Sequence, residues 1–139
     1  FGNSAEEDKK LKPVGTLKTI ISQIHHIKKG ESVGYNRGFK ASSATKTATL
    51  PLGHADGINR IYEKEKTGVL INGHHAPIIG NVCMDMLMID ISGIECKEGD
   101  EVILFGKEKS AEEFAHNAGT ISYELITSIS QRVKRKLIN

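Results

Sequence analysis

Few residues in this 139-residue chain combine a reactive side chain with a setting that would expose it. The stretch Glu31 to Phe39, ESVGYNRGF, places a tyrosine between Gly34 and Asn36 in a polar turn that follows a strand-like segment. A phenol ordinarily loses its proton near pH 10, so Tyr35 acts as a general base near neutrality only where cationic neighbours or a shared proton stabilise the phenolate. Arg37 is the one cation within the stretch. Most of the field that a basic Tyr35 needs must therefore come from elsewhere.

Two further strings carry candidate groups. In VCMDMLMID, Val82 to Asp90, strand alternation puts Met84, Met86 and Met88 on one face and Cys83, Asp85 and Leu87 on the other. Such a methionine stripe is usually core filling. Asp85 is a carboxylate in an apolar string, where an unpaired charge is expensive, so it requires a partner or a cleft. In GHADG, Gly53 to Gly57, flanking glycines permit unusual backbone angles around His54 and Asp56, and a tight turn with Asp56 capping backbone amides is expected. A Cys83, His54 and Asp85 nucleophilic site would need the three to meet, and nothing in the sequence brings them together. The adjacent pairs His25, His26 and His74, His75 point to opposite faces of a strand, and H-x-H and H-x3-H spacings are absent, so no metal site is expected.

The elements that must position these groups are short. The spacing predicts strands over 16–27, 44–52, 68–71, 76–80, 82–91 and 101–105, with hairpin-type connections at NGHH (72–75) and KEGD (97–100). Residues 16–27 have apolar positions at helical spacing, yet their β-branched content and lack of a cap favour a strand. SAEEFAHNAG reads as a helix with Ser110 as N-cap, Glu113 as its capping-box partner and Gly119 as the stop. A second short helix is expected over 121–128 and a last strand over 132–137. Together these predict a mainly β fold, a small antiparallel Greek-key β-barrel with two short α-helices near the C-terminus.

Composition narrows the function classes. The length suits a single core. Lys plus Arg number 19 against 17 Asp plus Glu, Trp is absent, and basic residues cluster only in RVKRK near the end, which argues against a nucleic-acid interface. Apolar runs fall far short of the roughly 18 residues of a bilayer span and no leader precedes them, so a soluble, cytoplasmic protein without membrane contact is expected. Cys83 and Cys96 read as reduced thiols. Residues 1–13, polar and closed by Pro13, read as a linker or arm, with the ordered domain over 14–139. A start at Phe1 rather than Met predicts a piece of a longer protein.

The strings VGYN (33–36), TLPLGHADGINR (49–60), APIIGNVCMDMLMID (76–90), EGDEVILFG (98–106) and GTISYELITSISQRVKR (119–135) occur in an order that resembles the C-terminal domain of alanine racemases. The resemblance covers roughly 17–135, and the VCMDM and GTISYE pair is highly specific. It implies a missing N-terminal barrel that carries pyridoxal 5'-phosphate (PLP), and a homodimer in which this domain of one chain covers the barrel mouth of the other. It further implies that Tyr35 is the base acting on L-alanine and that the Met84 amide binds the substrate carboxylate. Tyr123 would contact the cofactor phosphate, while Arg60 and Ile121 line the corridor to the site. His54 stands where many members carry tyrosine, and Asn81 where some carry a basic residue. The implied activity is interconversion of L- and D-alanine for peptidoglycan synthesis, with the isolated fragment inactive. A non-catalytic dimerisation or gating module of a fused cell-wall enzyme, or a racemase for another small amino acid, stands as the alternative.

Overall fold

In the computed structural model, which describes residues 5–8, 10–63 and 67–138, the chain is predominantly β. The strands are β1 (Leu17–Ile20), β2 (Gln23–Ile27), β3 (Ser32–Val33), β4 (Phe39–Lys40), β5 (Thr45–Leu50), β6 (Gly68–Ile71), β7 (His74–Ile79), β8 (Leu87–Asp90) and β9 (Glu101–Phe105). One helical turn, α1 (Ala5–Asp8), precedes them within the segment expected as an arm, and α2 (Ala111–Ala118) and α3 (Ser122–Ser128) follow. Residues 1–4 and 9 of that expected arm lie outside the described residues. Seven strands form one antiparallel sheet in the order β1-β9-β6-β7-β8-β5-β2, while β3 and β4 pair separately. Strands β6, β7 and β8 meander and β9 returns beside β6, which is the Greek-key order.

The first two strands close this sheet on itself. β1 pairs with β9 at one edge and β2 with β5 at the other. Only Ile21 and Ser22 separate them, three residue steps or roughly 11 Å at most from Ile20 to Gln23, so the sheet must curl until its two edges approach. The backbone hydrogen bonds record the crossing. Ile21 N–H donates to the Asp100 carbonyl (3.0 Å) and its carbonyl accepts from Gly99 (2.8 Å), whereas Ser22 N–H donates to Thr49 (2.9 Å). The crossing also accounts for the helix-like spacing of 16–27. Two alternating strands with a phase break between them superimpose as apolar positions three and four apart.

Three expectations are corrected. The strand expected over 82–91 is confined to Leu87–Asp90, because Cys83 N–H closes a tight turn on the Met86 carbonyl (2.8 Å). Met84 and Met86 are consequently exposed and only Met88 is buried, so the methionine stripe does not exist. The turn at 97–100 does not join neighbouring strands; it lies on the crossover from β8 to β9, with the Asp100 carboxylate accepting from Lys97 N–H (2.9 Å). No strand forms over 132–137, where the Arg135 guanidinium gathers the carbonyls of Ile129, Ser130 and Val133 and folds the tail on itself. The β6–β7 connection is the expected hairpin, with Asn72 (φ 50°) and Gly73 (φ 78°) as its two central residues. Ser110 caps α2 by accepting from Glu113 N–H (3.0 Å), and Gly119 ends it at φ 83°.

The core lies inside the curled sheet and is sealed at one end by the helices. Ile21, Leu50, Ile71, Ile78, Leu87, Ile89, Ile91 and Leu104 are fully buried, as are Phe114 of α2 and Leu125 of α3. Tyr62 stacks on Phe114 with centroids 5.0 Å apart, tying the Arg60–Glu63 turn to α2. The crossing predicts a sharp contrast between neighbours, since Ile21 is 1% and Ile20 49% exposed. Ile21→Ala is expected to lower unfolding free energy by about 2–5 kcal/mol and Ile20→Ala by less than about 1, measured by urea unfolding at unchanged m. Equal losses would contradict this placement.

Candidate functional site

Tyr35 sits in a turn that the sequence shapes with glycine and that the rest of the fold holds from below. The turn links β3 to β4 and enters the left-handed region at Gly34 (φ 79°), Asn36 (φ 54°) and Arg37 (φ 52°). Left-handed backbone is tolerable for asparagine and unfavourable by roughly 1–2 kcal/mol for arginine, so surrounding contacts must enforce it. The enforcing neighbour is Asn81. Its Nδ2 donates to the Tyr35 carbonyl (2.8 Å), which also accepts from Gly38 N–H (3.1 Å). A Cβ on Gly38 would lie 2.6 Å from Asn81 Oδ1, so the turn closes over this side chain only because position 38 has none. The Tyr35 side chain is left 69% exposed.

The GHADG and VCMDM strings dock backbone to backbone. His54 N–H donates to the Cys83 carbonyl and Ala55 N–H to the Met84 carbonyl, both at 2.9 Å. A Cβ on Gly53 would fall 2.4 Å from the Cys83 carbonyl oxygen and 2.7 Å from Met86 N. Behind this contact Asp56, buried as few carboxylates are, accepts from Gly53 N–H (2.8 Å) through Oδ2 and pairs with Arg132 Nε (2.8 Å) through Oδ1. The same guanidinium reaches Asp85 Oδ1 at 2.7 Å. Asp85 has a partner, but in an exposed turn (57% exposed) and not in the apolar strand expected of it, so its setting does not require one; Asp56 is the amide cap expected of it. The hydrogen bond to Asp85 is the largest influence and holds the Arg132 guanidinium above its ordinary pKa; burial opposes it, and the charges of Asp56 and Asp85 add to the rise.

These loops and the tyrosine turn border one open cleft of about 540 Å³, lined by Tyr35, Asn36, His54, Arg60, Asn81, Val82, Cys83 and Met84. Arg60 is held in it by Glu63 (Nε to Oε1, 2.9 Å), and that oxygen also accepts from Val82 N–H (2.9 Å). The Glu63 hydrogen bond, with its charge, raises the Arg60 pKa. Among the described residues, the Met84 amide and the Tyr35 phenol oxygen have no hydrogen-bond partner. Of the sequence-derived candidates, the structure brings Tyr35, Met84, His54 and Arg60 together. Ile121 and Tyr123 lie outside the lining, exposed at the start of α3. Tyr62 is excluded from acid–base work, because burial, with Glu124 nearby, pushes its phenol up to about 12.

A relay of Cys83, His54 and Asp85 is not assembled: the thiol donates to the Asn81 carbonyl (3.6 Å) and Asp85 is taken by Arg132. Among the described residues no cluster of three His, Cys, Asp or Glu could hold a metal ion, and no helix is long and apolar enough to cross a membrane. Residue-level reading did not foresee the parts played by Asn81, Glu63 and Arg132. Glu63 lies three residues beyond Arg60, a spacing that could have flagged the pair. Arg132 and Asp85 are 47 residues apart, with no local signal at all.

Chemically the cleft offers a phenol, an imidazole, a guanidinium and an unpaired amide N–H around a space suited to a small anionic molecule. No lysine lines it.

Comparison with known proteins gives a consistent placement. Residues 14–137 match the family model described as "Alanine racemase, C-terminal domain". Alanine racemase 1 of Clostridium acetobutylicum is 44% identical over 98% of the chain, which spans 36% of that protein. The structure of the biosynthetic alanine racemase from Pseudomonas aeruginosa superposes with a TM-score of 0.88 at 34% identity, over 98% of this chain and 38% of that one. The alanine racemase from Bartonella henselae with covalently bound pyridoxal phosphate superposes at 0.83, also with 34% identity, over 88% and 34%. The chain therefore spans about a third of the length of the relatives it matches, and the part it matches is their C-terminal domain. On the match over 14–137 and these identities, this chain belongs to the alanine racemase C-terminal domain family.

Proposed function

We propose that this chain is the part of a PLP-dependent alanine racemase that supplies the tyrosine base to the partner chain's active site. In this reading residues 14–139 are the C-terminal domain, residues 1–13 join it to a PLP-carrying barrel, and the full-length protein works as a cytoplasmic homodimer making D-alanine for peptidoglycan. The observation that carries the reading is the exposed Tyr35 phenol, on a turn pinned by Asn81, beside the unpaired Met84 amide in one open cleft.

Pyridoxal phosphate, when bound, delocalises the electron pair left on the substrate α-carbon as its proton departs. Each residue of this chain then has a defined task. The Tyr35 phenolate oxygen takes the α-proton of L-alanine, or returns it in the opposite direction, while a lysine of the barrel serves the other face. One base per face is what racemisation requires. The Met84 N–H donates to the substrate carboxylate, a charge-assisted bond that needs no particular side chain at position 84. The Tyr123 hydroxyl contacts the cofactor phosphate. Arg60, His54 and Ile121 border the approach. Among the described residues the cations this chain contributes here are Arg37, in the tyrosine turn, and Arg60, which lines the cleft and is paired with Glu63.

Two predictions follow from this division of labour. In the full-length enzyme, Tyr35→Phe is expected to lower racemisation by about 10²–10⁴-fold while leaving the cofactor absorbance intact; near-normal turnover would sink the assignment. Met84→Ala keeps the backbone donor and is expected to leave KM within about threefold. Gly53→Ala must displace the Cys83 and Met84 backbone to make room for its Cβ, and is expected to raise KM by about tenfold or more, as for loss of a hydrogen bond to a charged group. The reverse ranking in steady-state kinetics would show that the carboxylate is held elsewhere.

A further inference from the structure

We infer that Asn81 is a positioning residue for proton transfer on the L face, acting through the backbone of the tyrosine turn. The inference rests on the reading of Tyr35 as a base. It concerns a residue that differs from the basic side chain at this position in some members of the resembling family.

The geometry assigns this role in three ways. Among the described residues, Asn81 Nδ2 makes the one side-chain hydrogen bond onto the tyrosine turn from another part of the chain, at 2.8 Å from the carbonyl of Tyr35 itself. The base is thus held at its own peptide unit. The turn also fits over Asn81 as over a peg: Cβ atoms on Gly34 and Gly38 would meet its backbone N at 3.2 Å and its Oδ1 at 2.6 Å. Finally, the successive left-handed angles at Asn36 and Arg37 make the turn intrinsically unfavourable, so its conformation depends on what it is closed upon.

Asn81 is in turn placed by the platform beneath the cleft. Gly80 (φ 67°) runs so close to Val33 that a Cβ would lie 2.9 Å from its carbonyl oxygen, and the Asn81 carbonyl accepts the Cys83 thiol. One short segment, 80–84, therefore holds the tyrosine turn at one end and presents the Met84 amide at the other. Asn81 couples the position of the base to that of the carboxylate donor. Proton transfer is sensitive to such placement because the base must lie within hydrogen-bond reach of the proton it abstracts.

The test uses the full-length holoenzyme with Asn81→Asp, which keeps the shape but lacks the N–H donor, and Asn81→Ala, which removes the peg. For both, kcat/KM is expected to fall roughly tenfold, or about 1.4 kcal/mol, with cofactor absorbance unchanged. The distinguishing readout is the primary isotope effect with α-deuterated alanine. It should rise for the L enantiomer, as removal of its proton becomes more limiting, and fall toward unity for the D enantiomer. Wild-type kcat/KM in both variants, or a loss with both isotope effects unchanged, would overturn the role of Asn81. Tyr35→Phe run alongside separates the two readings: if it is near-normal, the base assignment itself fails, whereas a disabled Tyr35→Phe beside unaffected Asn81 variants rejects the positioning role alone.

Discussion

The backbone contact between the GHADG turn and the CMD turn is the constraint on which the site depends. It exists because position 53 carries no side chain, so the Cys83 carbonyl can stand where a Cβ would otherwise be. Once that contact forms, its consequences spread in two directions. Behind it, Asp56 and Asp85 are drawn to one guanidinium, and Arg132 locks the C-terminal tail against the loops. In front, the carbonyls of Cys83 and Met84 are consumed by His54 and Ala55, which leaves the Met84 amide as an unpaired donor at the cleft. A surface-exposed ion pair contributes little by itself. Here one of the two carboxylates is buried, so the Arg132 bridge does more than decorate the surface.

The site is built from rigid backbone and exposed side chains, an arrangement that suits one wall of a shared chamber. The closed sheet supplies the rigidity. The crossing at Ile21–Ser22 leaves few ways for the sheet to flatten, and the stacked pair of Tyr62 and Phe114 anchors the Arg60–Glu63 turn to the helices beneath. Tyr35, Met84, Ile121 and Tyr123 nevertheless remain exposed, a set of large side chains that an isolated domain gains nothing by presenting to water. The chain spans about a third of the length of the relatives it matches.

Much of this was legible in advance, for reasons that differ by residue. Turn chemistry identified the β6–β7 hairpin and both ends of α2, because Asn72, Gly73, Ser110 and Gly119 each have a local conformational task. Strand content identified most of the sheet. The string VCMDMLMID was misread because perfect alternation of methionines is compatible with a strand, while the interaction that breaks it, a turn docked on Gly53, lies some 30 residues away in sequence. The tail was misread likewise, since the basic string over 132–137 does not reveal that Arg132 and Arg135 are engaged with Asp56, Asp85 and nearby carbonyls. Tyr35 drew attention from its own composition, but the cleft around it joins segments near 35, 54, 60 and 81–84, and no local pattern encodes that convergence.

The central claim, that this chain lends its tyrosine to a site completed by another copy, is tested most directly by mixing two disabled full-length enzymes. One carries Tyr35→Phe and the other lacks the cofactor-bearing lysine of the barrel. If Tyr35 serves the partner chain, mixed dimers contain one site with both bases intact, and racemase activity returns when subunits exchange. If the tyrosine and lysine of a single chain work together, every site in the mixture lacks one base, and no activity returns.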